Sequence, residues 1–497
     1  MSQRTFPRSA LVVACGLLLL LLAALAPLSG CGARRTPNLE RIFAATKTRK
    51  GKPPIIVVPG ILGSQLVNQK TREVVWPSAF RSATDGLALP LSPDLAANRD
   101  GLVAERIVET AKLARLAPEV YVYYELLKAL REYGGYRDGD WDHPPPDGDS
   151  DTLYVFPFDW RRDNVETARE LVRRIEDLKR KLNRPDLRFN LVAHSMGGLV
   201  ARYAARYGDA DLPPAGQPPQ VTWAGASGIN KIFMFGTPNE GSAEALATLL
   251  DGYSIQEGLR RRLRLLNKLS REDAVTIPSI FQLLPHGRAA HFLDENLNAL
   301  EIDLYDPETW RRYGWSPLVQ PDYRARFVRG EMRDESAVLA SDGRAETLDA
   351  YLAAALDRAR RFHESLDVFP PAGQSPVPLY AFGGDCEETL AAPVILRDAK
   401  KNRWLTLVSP RELRAPGGQK FSRKQVTAAM YEPGDGRVTR RSLLGEGLAA
   451  TRNSALIDTP LPIAYAVFAC DLHSDLQNNQ NLQDNALTVL VNEVVKE

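Results

Sequence analysis

Four cysteines among 497 residues are too few to build a fold from disulfides. An excess of one charge is also missing: 63 Lys and Arg face 61 Asp and Glu, a net of +2. A nucleic-acid partner asks for a basic excess on one face, so the balance gives no reason to expect one. There is no internal repeat and no coiled-coil heptad pattern. Histidine is sparse, six in all, so each one can be weighed singly. Apolar residues are plentiful at 44%, enough for a sizeable core and against disorder of the whole chain. The length fits roughly three domains, or one large α/β domain with insertions.

A long apolar run stands near the start, over residues 11–27, after Arg4 and Arg8 and before Leu28, Ser29, Gly30 and Cys31. A basic start, an apolar stretch and small residues before a cut predict a secretory signal over 1–30. The Leu-Ser-Gly-Cys ending resembles a bacterial lipoprotein signal, in which Cys31 is lipidated and becomes the new N-terminus. An uncleaved anchor is the alternative, although 17 residues lie near the short limit of the roughly 20 needed to span a bilayer. Either way the remainder is exported and lipid- or helix-anchored in the bacterial cell envelope, on the periplasmic face or the cell surface. Residues 31–51 are expected to form the tether, with Arg34, Arg35, Arg41, Lys47, Arg49 and Lys50 either at anionic headgroups or in a solvated linker.

Beyond residue 52 the chain alternates. Residues 53–59 are an apolar, β-branched run ended by Gly60 and read as a buried strand. Residues 152–158, 189–194, 229–236, 377–383 and 463–470 read likewise. Residues 164–182 place Val165, Ala168, Leu171, Val172, Ile175, Leu178 and Leu182 at helical spacing with charges between them, an amphipathic helix. Residues 198–207 form a second helical pattern and 482–495 a closing helix. This order predicts an α/β fold, a mostly parallel sheet with helices on both faces. Two stretches break the rhythm. Residues 64–117 are inserted between the first two strands, and 243–376 are long enough for a cap or lid domain. The core then comprises 52–242 and 377–497. In the cap, Leu259, Leu263, Leu266 and Leu269 share a helical face beside Arg260, Arg261, Arg262 and Arg264. This reads as a cap helix with a solvated basic face, or as a membrane-surface helix.

Residues 191–198 read Leu-Val-Ala-His-Ser-Met-Gly-Gly. Small residues two positions either side of Ser195, between a predicted strand and a predicted helix, are the pattern of a nucleophile elbow. The helix N-terminus offers N–H groups to a developing oxyanion. We assign the oxyanion donors to the backbone N–H of Met196 and of Ile61, in the Gly60–Gly63 loop after the first strand, each worth about 3 kcal/mol in the transition state. His194 is not the base: adjacent strand residues point to opposite faces, so it reads as a packing residue.

The base is expected near the C-terminus, where His473 follows the last strand. His143, His286, His291 and His363 fall in the insertions or loops and read as surface or packing residues. Two acids are candidates: Asp385, directly after the fifth strand, and Asp435, in a glycine-flanked turn 38 residues before His473. Cys386 and Cys470 end the last two strands, whose ends lie side by side in a parallel sheet. A disulfide there closes an 84-residue span; two separate buried thiols are the alternative. Asp138, Asp140, Asp142, Asp147, Asp149 and Asp151 read as a solvated acidic loop rather than a Ca²⁺ site, since the bidentate Glu of an EF-hand is missing.

The motifs together resemble the lecithin:cholesterol acyltransferase and lysosomal phospholipase A family of α/β-hydrolases. They are Ile-Val-Val-Pro-Gly-Ile-Leu-Gly-Ser-Gln-Leu at 56–66, Phe-Asp-Trp-Arg at 158–161, the Ser195 elbow, Gly-Thr-Pro-Asn-Glu-Gly-Ser at 236–242, Gly-Asp-Gly-Arg-Val-Thr at 434–439 and His473. The resemblance implies an α/β-hydrolase fold, a triad of Ser195, Asp435 and His473, and Ile61 at the oxyanion position. It implies a lipid ester as acyl donor at a membrane surface, with water, an alcohol or a sterol as acceptor. No cofactor and no metal is called for. Ala193 departs from the usual Gly, and 64–117 lacks the family's cysteine pair. Trp76, Phe80 and residues 87–91 are left to supply an apolar surface for lipid. Two rival functions remain: an esterase for triglycerides or small soluble esters, and a non-catalytic lipid-binding or scaffold lipoprotein. Oligomeric state is not legible.

Overall fold

Six short runs of mostly apolar residues and one two-residue edge strand assemble into one parallel sheet. The computed structural model describes residues 36–493 apart from 79–85, 113–118, 255–267, 332–344, 370–374, 399 and 449–458. The strands are β1 (Ile55–Val58), β2 (Arg137–Asp138), β3 (Thr152–Val155), β4 (Phe189–His194), β5 (Ile229–Phe235), β6 (Leu379–Gly384) and β7 (Ile463–Ala469). Their spatial order is β7-β6-β5-β4-β1-β3-β2, and every neighbouring pair is parallel. The six strands expected from the sequence are all present. The edge strand β2 is additional; its two residues are too short for any periodicity.

All residues of β1 and β4 are buried, because helices cover both faces. Ile56, Val58, Leu191 and Ala193 point into one core cluster, Ile55, Val57 and Val192 into the other. On the first face lies α1 (Asn164–Lys181), whose Val165, Ala168, Leu171, Ile175 and Leu178 are buried and whose start is capped by Asp163 accepting from the Glu166 N–H. Beside it runs α2 (Met196–Tyr207), buried along its whole length. The second face is covered by α5 (Gln480–Asn492), through Leu482, Leu487, Leu490 and Val491. Each such leucine contributes about 2 kcal/mol by leaving water.

The described residues of the region 243–376 are mostly helical, with four two-residue strands, and pack on the first face. The region opens with α3 (Ala243–Asp251) and closes with α4 (Ala345–Leu366), a 22-residue helix. Leu348, Leu352, Leu356 and Phe362 of α4 join the core cluster that holds Leu191. The Leu366 carbonyl accepts from Arg202 at 2.9 Å and from Arg206 at 2.7 Å, tying α4 to α2. A further excursion, not expected from the sequence, interrupts the C-terminal part of the core. Strand Glu387–Leu390 pairs antiparallel with Tyr431–Gly434, and Val394 pairs with Leu293 of the cap region.

Residues 39–50, expected in the tether, belong to the body. Leu39 and Phe43, one helical turn apart, are buried against the second core cluster. Residues 39–497 form one compact unit. The signal over 1–30, Cys31, Arg34, Arg35 and the basic leucine-rich stretch at 259–267 lie outside the described residues. Among the described residues no helix is long and apolar enough to cross a membrane.

Candidate active site

At the C-terminal edge of the sheet β4 turns into α2 within one residue. Ser195 takes the turn at φ 52° and ψ −125°, a region that side chains rarely occupy. Its N–H donates to the Phe235 carbonyl at the end of β5, 2.7 Å away. Gly197 is required, since a Cβ there would overlap the Pro59 carbonyl. Ala193, on the other side of the turn, is fully buried without such a conflict.

His473 follows β7. Its Nε2 lies 2.9 Å from Ser195 Oγ and its Nδ1 2.8 Å from Asp435 Oδ2. A carboxylate only accepts, so Nδ1 carries the proton and the Nε2 lone pair faces the Ser195 hydroxyl. The other Asp435 oxygen accepts from the N–H of Val438 at 2.7 Å and of Arg437 at 3.0 Å. All three side chains are buried. The antiparallel ladder between Glu387–Leu390 and Tyr431–Gly434 brings Asp435 back to the end of β6. Asp385, the other acid candidate, is exposed. The structure therefore places Asp435, and not Asp385, against His473.

Gly60 and Gly63 close the loop after β1, with the Gly63 N–H on the Gly60 carbonyl at 3.1 Å. A trans peptide sets an N–H opposite its C=O, so the Ile61 N–H points away from that turn. Ile61 lines the cavity that holds Ser195. Met196 is the first residue of α2, where an N–H has no intrahelical partner. The Gly60 N–H is already used: it donates to Tyr123 Oη at 2.9 Å.

A cavity of about 230 Å³ opens over Ser195, with Ile61, Leu62, Trp76, Val108, Ile280 and Leu283 among its walls. Arg437 and Glu244 bring charge to it, the Arg437 guanidinium standing 4.3 Å from the Tyr253 ring centre. Of the apolar lipid surface expected from Trp76 and 87–91, Trp76 reaches the cavity wall, whereas 87–91 do not line the cavity. Trp76 is buried, its Nε1–H on the Leu62 carbonyl at 2.8 Å, and Leu87, Leu89 and Leu91 are core residues. Phe80 lies outside the described residues.

His194 is a packing residue, but a hydrogen-bonded one. Its ring lies between Tyr123 Oη, 2.9 Å from Nδ1, and the His473 carbonyl, 3.1 Å from Nε2. Nothing in the sequence singled out Tyr123; it reaches the site only through tertiary packing. His286 and His363 stack at 3.9 Å in the interior, and His143 is exposed. Cys386 and Cys470 form a disulfide across the ends of β6 and β7, with Cα atoms 5.3 Å apart. The acidic loop is matched by bases of its own chain: Asp138 with Arg131, Asp142 with Lys181, Asp147 with Arg137, Asp149 with Arg184, and Asp151 with the buried Lys52.

Residues 92–317 match the family model of lecithin:cholesterol acyltransferase. Ser195 lies within this span; Asp435 and His473 lie beyond it. No curated protein matches the chain by sequence. Among solved structures, the chain is similar to one in the Tle4–Tli4 complex, with TM-score 0.55 and 14% identity over 88% of this chain and 98% of that one. It is also similar to the Bacillus licheniformis lipase BlEst2 in mature form, with TM-score 0.31 and 11% identity over 89% and 92%. EstA from Clostridium botulinum gives TM-score 0.32 and 12% identity over 94% and 92%. At 14% identity the likeness to the first of these is one of fold. The chain thus has the α/β-hydrolase fold and resembles the lecithin:cholesterol acyltransferase family over residues 92–317, with a β-rich excursion beyond its cap region.

Proposed function

We propose that this α/β-hydrolase is a serine lipase or acyltransferase that cleaves acyl esters of lipids through an acyl-enzyme on Ser195. The observation that carries the reading is the position of His473, between the Ser195 hydroxyl at 2.9 Å and the Asp435 carboxylate at 2.8 Å, in the wall of a mostly apolar cavity. The family match over 92–317 supports a lipid ester as substrate.

Ser195 Oγ attacks the ester carbonyl while His473 Nε2 takes its proton. The carbonyl oxygen becomes an oxyanion facing the N–H groups of Ile61 and Met196, each worth about 3 kcal/mol. His473 returns the proton to the leaving alcohol as the carbon–oxygen bond breaks. Water, or an alcohol such as a sterol, gives its proton to His473 and attacks the acyl-enzyme; Ser195 leaves with that proton. Asp435 holds the imidazole in the required tautomer and faces the imidazolium that forms.

We further propose that residues 1–30 are removed and that a lipidated Cys31 ties the protein to a membrane of the bacterial cell envelope. Such an anchor keeps the cavity beside its substrate. The test uses phosphatidylcholine liposomes, with and without a sterol or fatty alcohol, beside Ser195→Ala. Free fatty acid and lysolipid are expected from a phospholipase, a new ester from an acyltransferase. Equal product traces from wild type and Ser195→Ala would end the lipid-ester reading.

A further inference from the structure

Beneath the triad runs a chain of hydrogen bonds that the proposed cycle does not use. The Gly60 N–H donates to Tyr123 Oη at 2.9 Å. Tyr123 Oη lies 2.9 Å from His194 Nδ1, and His194 Nε2 lies 3.1 Å from the main-chain oxygen of His473. The two ends fix every direction between them. A carbonyl only accepts, so His194 Nε2 carries the ring proton. Nδ1 is then bare and accepts the Tyr123 hydroxyl proton. The Tyr123 oxygen in turn accepts from Gly60.

Three parts of the site meet in this chain: the Gly60–Ile61 turn, the strand that presents Ser195 and the loop that presents His473. Gly60 is held at both of its backbone groups, by Tyr123 at the N–H and by Gly63 at the carbonyl. A Cβ at Gly60 would lie 2.9 Å from Ser195 Cβ, so the turn and the nucleophile are in contact. The titratable groups facing His194 are Tyr123 and His473, whose ring centre is 5.0 Å away; Asp435 lies on the far side of His473. Burial and the His473 ring push the His194 imidazole down to about 3. Burial pushes the Tyr123 hydroxyl well up. Each therefore keeps its one proton through the neutral range, and no second positive charge stands beside the His473 imidazolium.

We propose that Tyr123 and His194 are positioning residues, which hold the His473 loop and the Ile61 turn in register with Ser195 through a hydrogen-bond chain of one fixed direction. The proposal rests on the serine-hydrolase reading. It is tested on the full chain by the second-order rate of Ser195 labelling with a fluorophosphonate across roughly pH 5 to 9. Tyr123→Phe leaves the Gly60 N–H without its acceptor and opens Nδ1 to a proton. Labelling at neutral pH is expected to fall about 10- to 100-fold, and the acid limb to move to higher pH. His194→Gln offers an N–H to the His473 carbonyl and an oxygen to Tyr123, and is expected to keep most of the wild-type rate. His194→Leu is expected to lose rate without moving the acid limb. If it does not fold, the Phe and Gln variants decide. A Tyr123→Phe protein with wild-type rate and acid limb would overturn the proposal while leaving the hydrolase reading intact. Labelling that survives in Ser195→Ala would overturn that reading itself.

Discussion

His473 is bound to Asp435 twice: its main-chain N–H donates to the Asp435 carbonyl at 2.8 Å, and its Nδ1–H to the side chain at 2.8 Å. The backbone link does not depend on the carboxylate. Asp435→Asn therefore keeps the loop in place while changing the tautomer. An amide N–H facing Nδ1 forces the ring proton onto Nε2, where it can no longer take the Ser195 proton. We expect kcat to fall about 10³- to 10⁴-fold with KM little changed, and the thermal midpoint to stay within a few degrees. Esterase kinetics beside a melting curve check both; a loss under tenfold would remove Asp435 from its assigned role.

Much of this arrangement was legible in the sequence, for identifiable reasons. Parallel strands buried on both faces are continuous apolar runs, so residues 55–58, 189–194 and 229–235 announce themselves. The Ser195 turn is legible because its tightness demands small neighbours. The acid was ambiguous because Asp385 and Asp435 both follow β6 in space; only the 387–390 ladder with 431–434 decides between them. Tyr123 was invisible, since it acts through contacts 63 and 71 residues away. Residues 87–91 were misplaced for a related reason. Apolar composition marks a site for burial without saying whether lipid or the protein's own core does the burying.

Glu240 gives a pH dependence to stability. Burial pushes its carboxyl up from 4.5 to about 7, against the Gly447 N–H and the nearby Arg441 and His286, which act downward. The folded chain thus holds a proton there that the unfolded chain has lost. The contribution is fully present below about pH 4.5 and is lost as pH rises through 7. Glu240→Gln is neutral throughout and lacks this slope. Between these limits the variant should gain on wild type by about 3 kcal/mol, read as a widening gap in urea midpoints. A constant gap from acid to alkaline pH would refute the assignment.

The Cys386–Cys470 bridge closes a span of 84 residues. Its loss in the double Cys→Ser variant should cost about 4 kcal/mol in the chain-entropy model. Cys470 also stands three positions before His473, so activity should fall along with stability. Urea unfolding of oxidised, reduced and variant protein tests this. Equal midpoints for oxidised and reduced wild type would show that the bridge stabilises nothing.

Gly384 sets how closely β6 approaches the acid. A Cβ added there would lie 2.8 Å from Asp435 Cβ and 2.8 Å from the Asp471 main-chain oxygen. Neither neighbour is a flexible side-chain end. Asp435 is held through the His473 N–H, and Asp471 lies between the disulfide and His473. Gly384→Ala must therefore move the acid, the loop of the base, or both. A displacement near 1 Å at a catalytic group costs on the order of 10²-fold, while overpacking of this size costs about 1–3 kcal/mol of stability. We expect kcat to fall 10- to 100-fold, by the same token, in a protein that still folds. Gly417→Ala, where nothing lies within 4 Å, should change neither quantity. Wild-type kcat in Gly384→Ala would mean that the acid tolerates displacement, and that the contact between β6 and the Asp435 turn is packing without catalytic consequence.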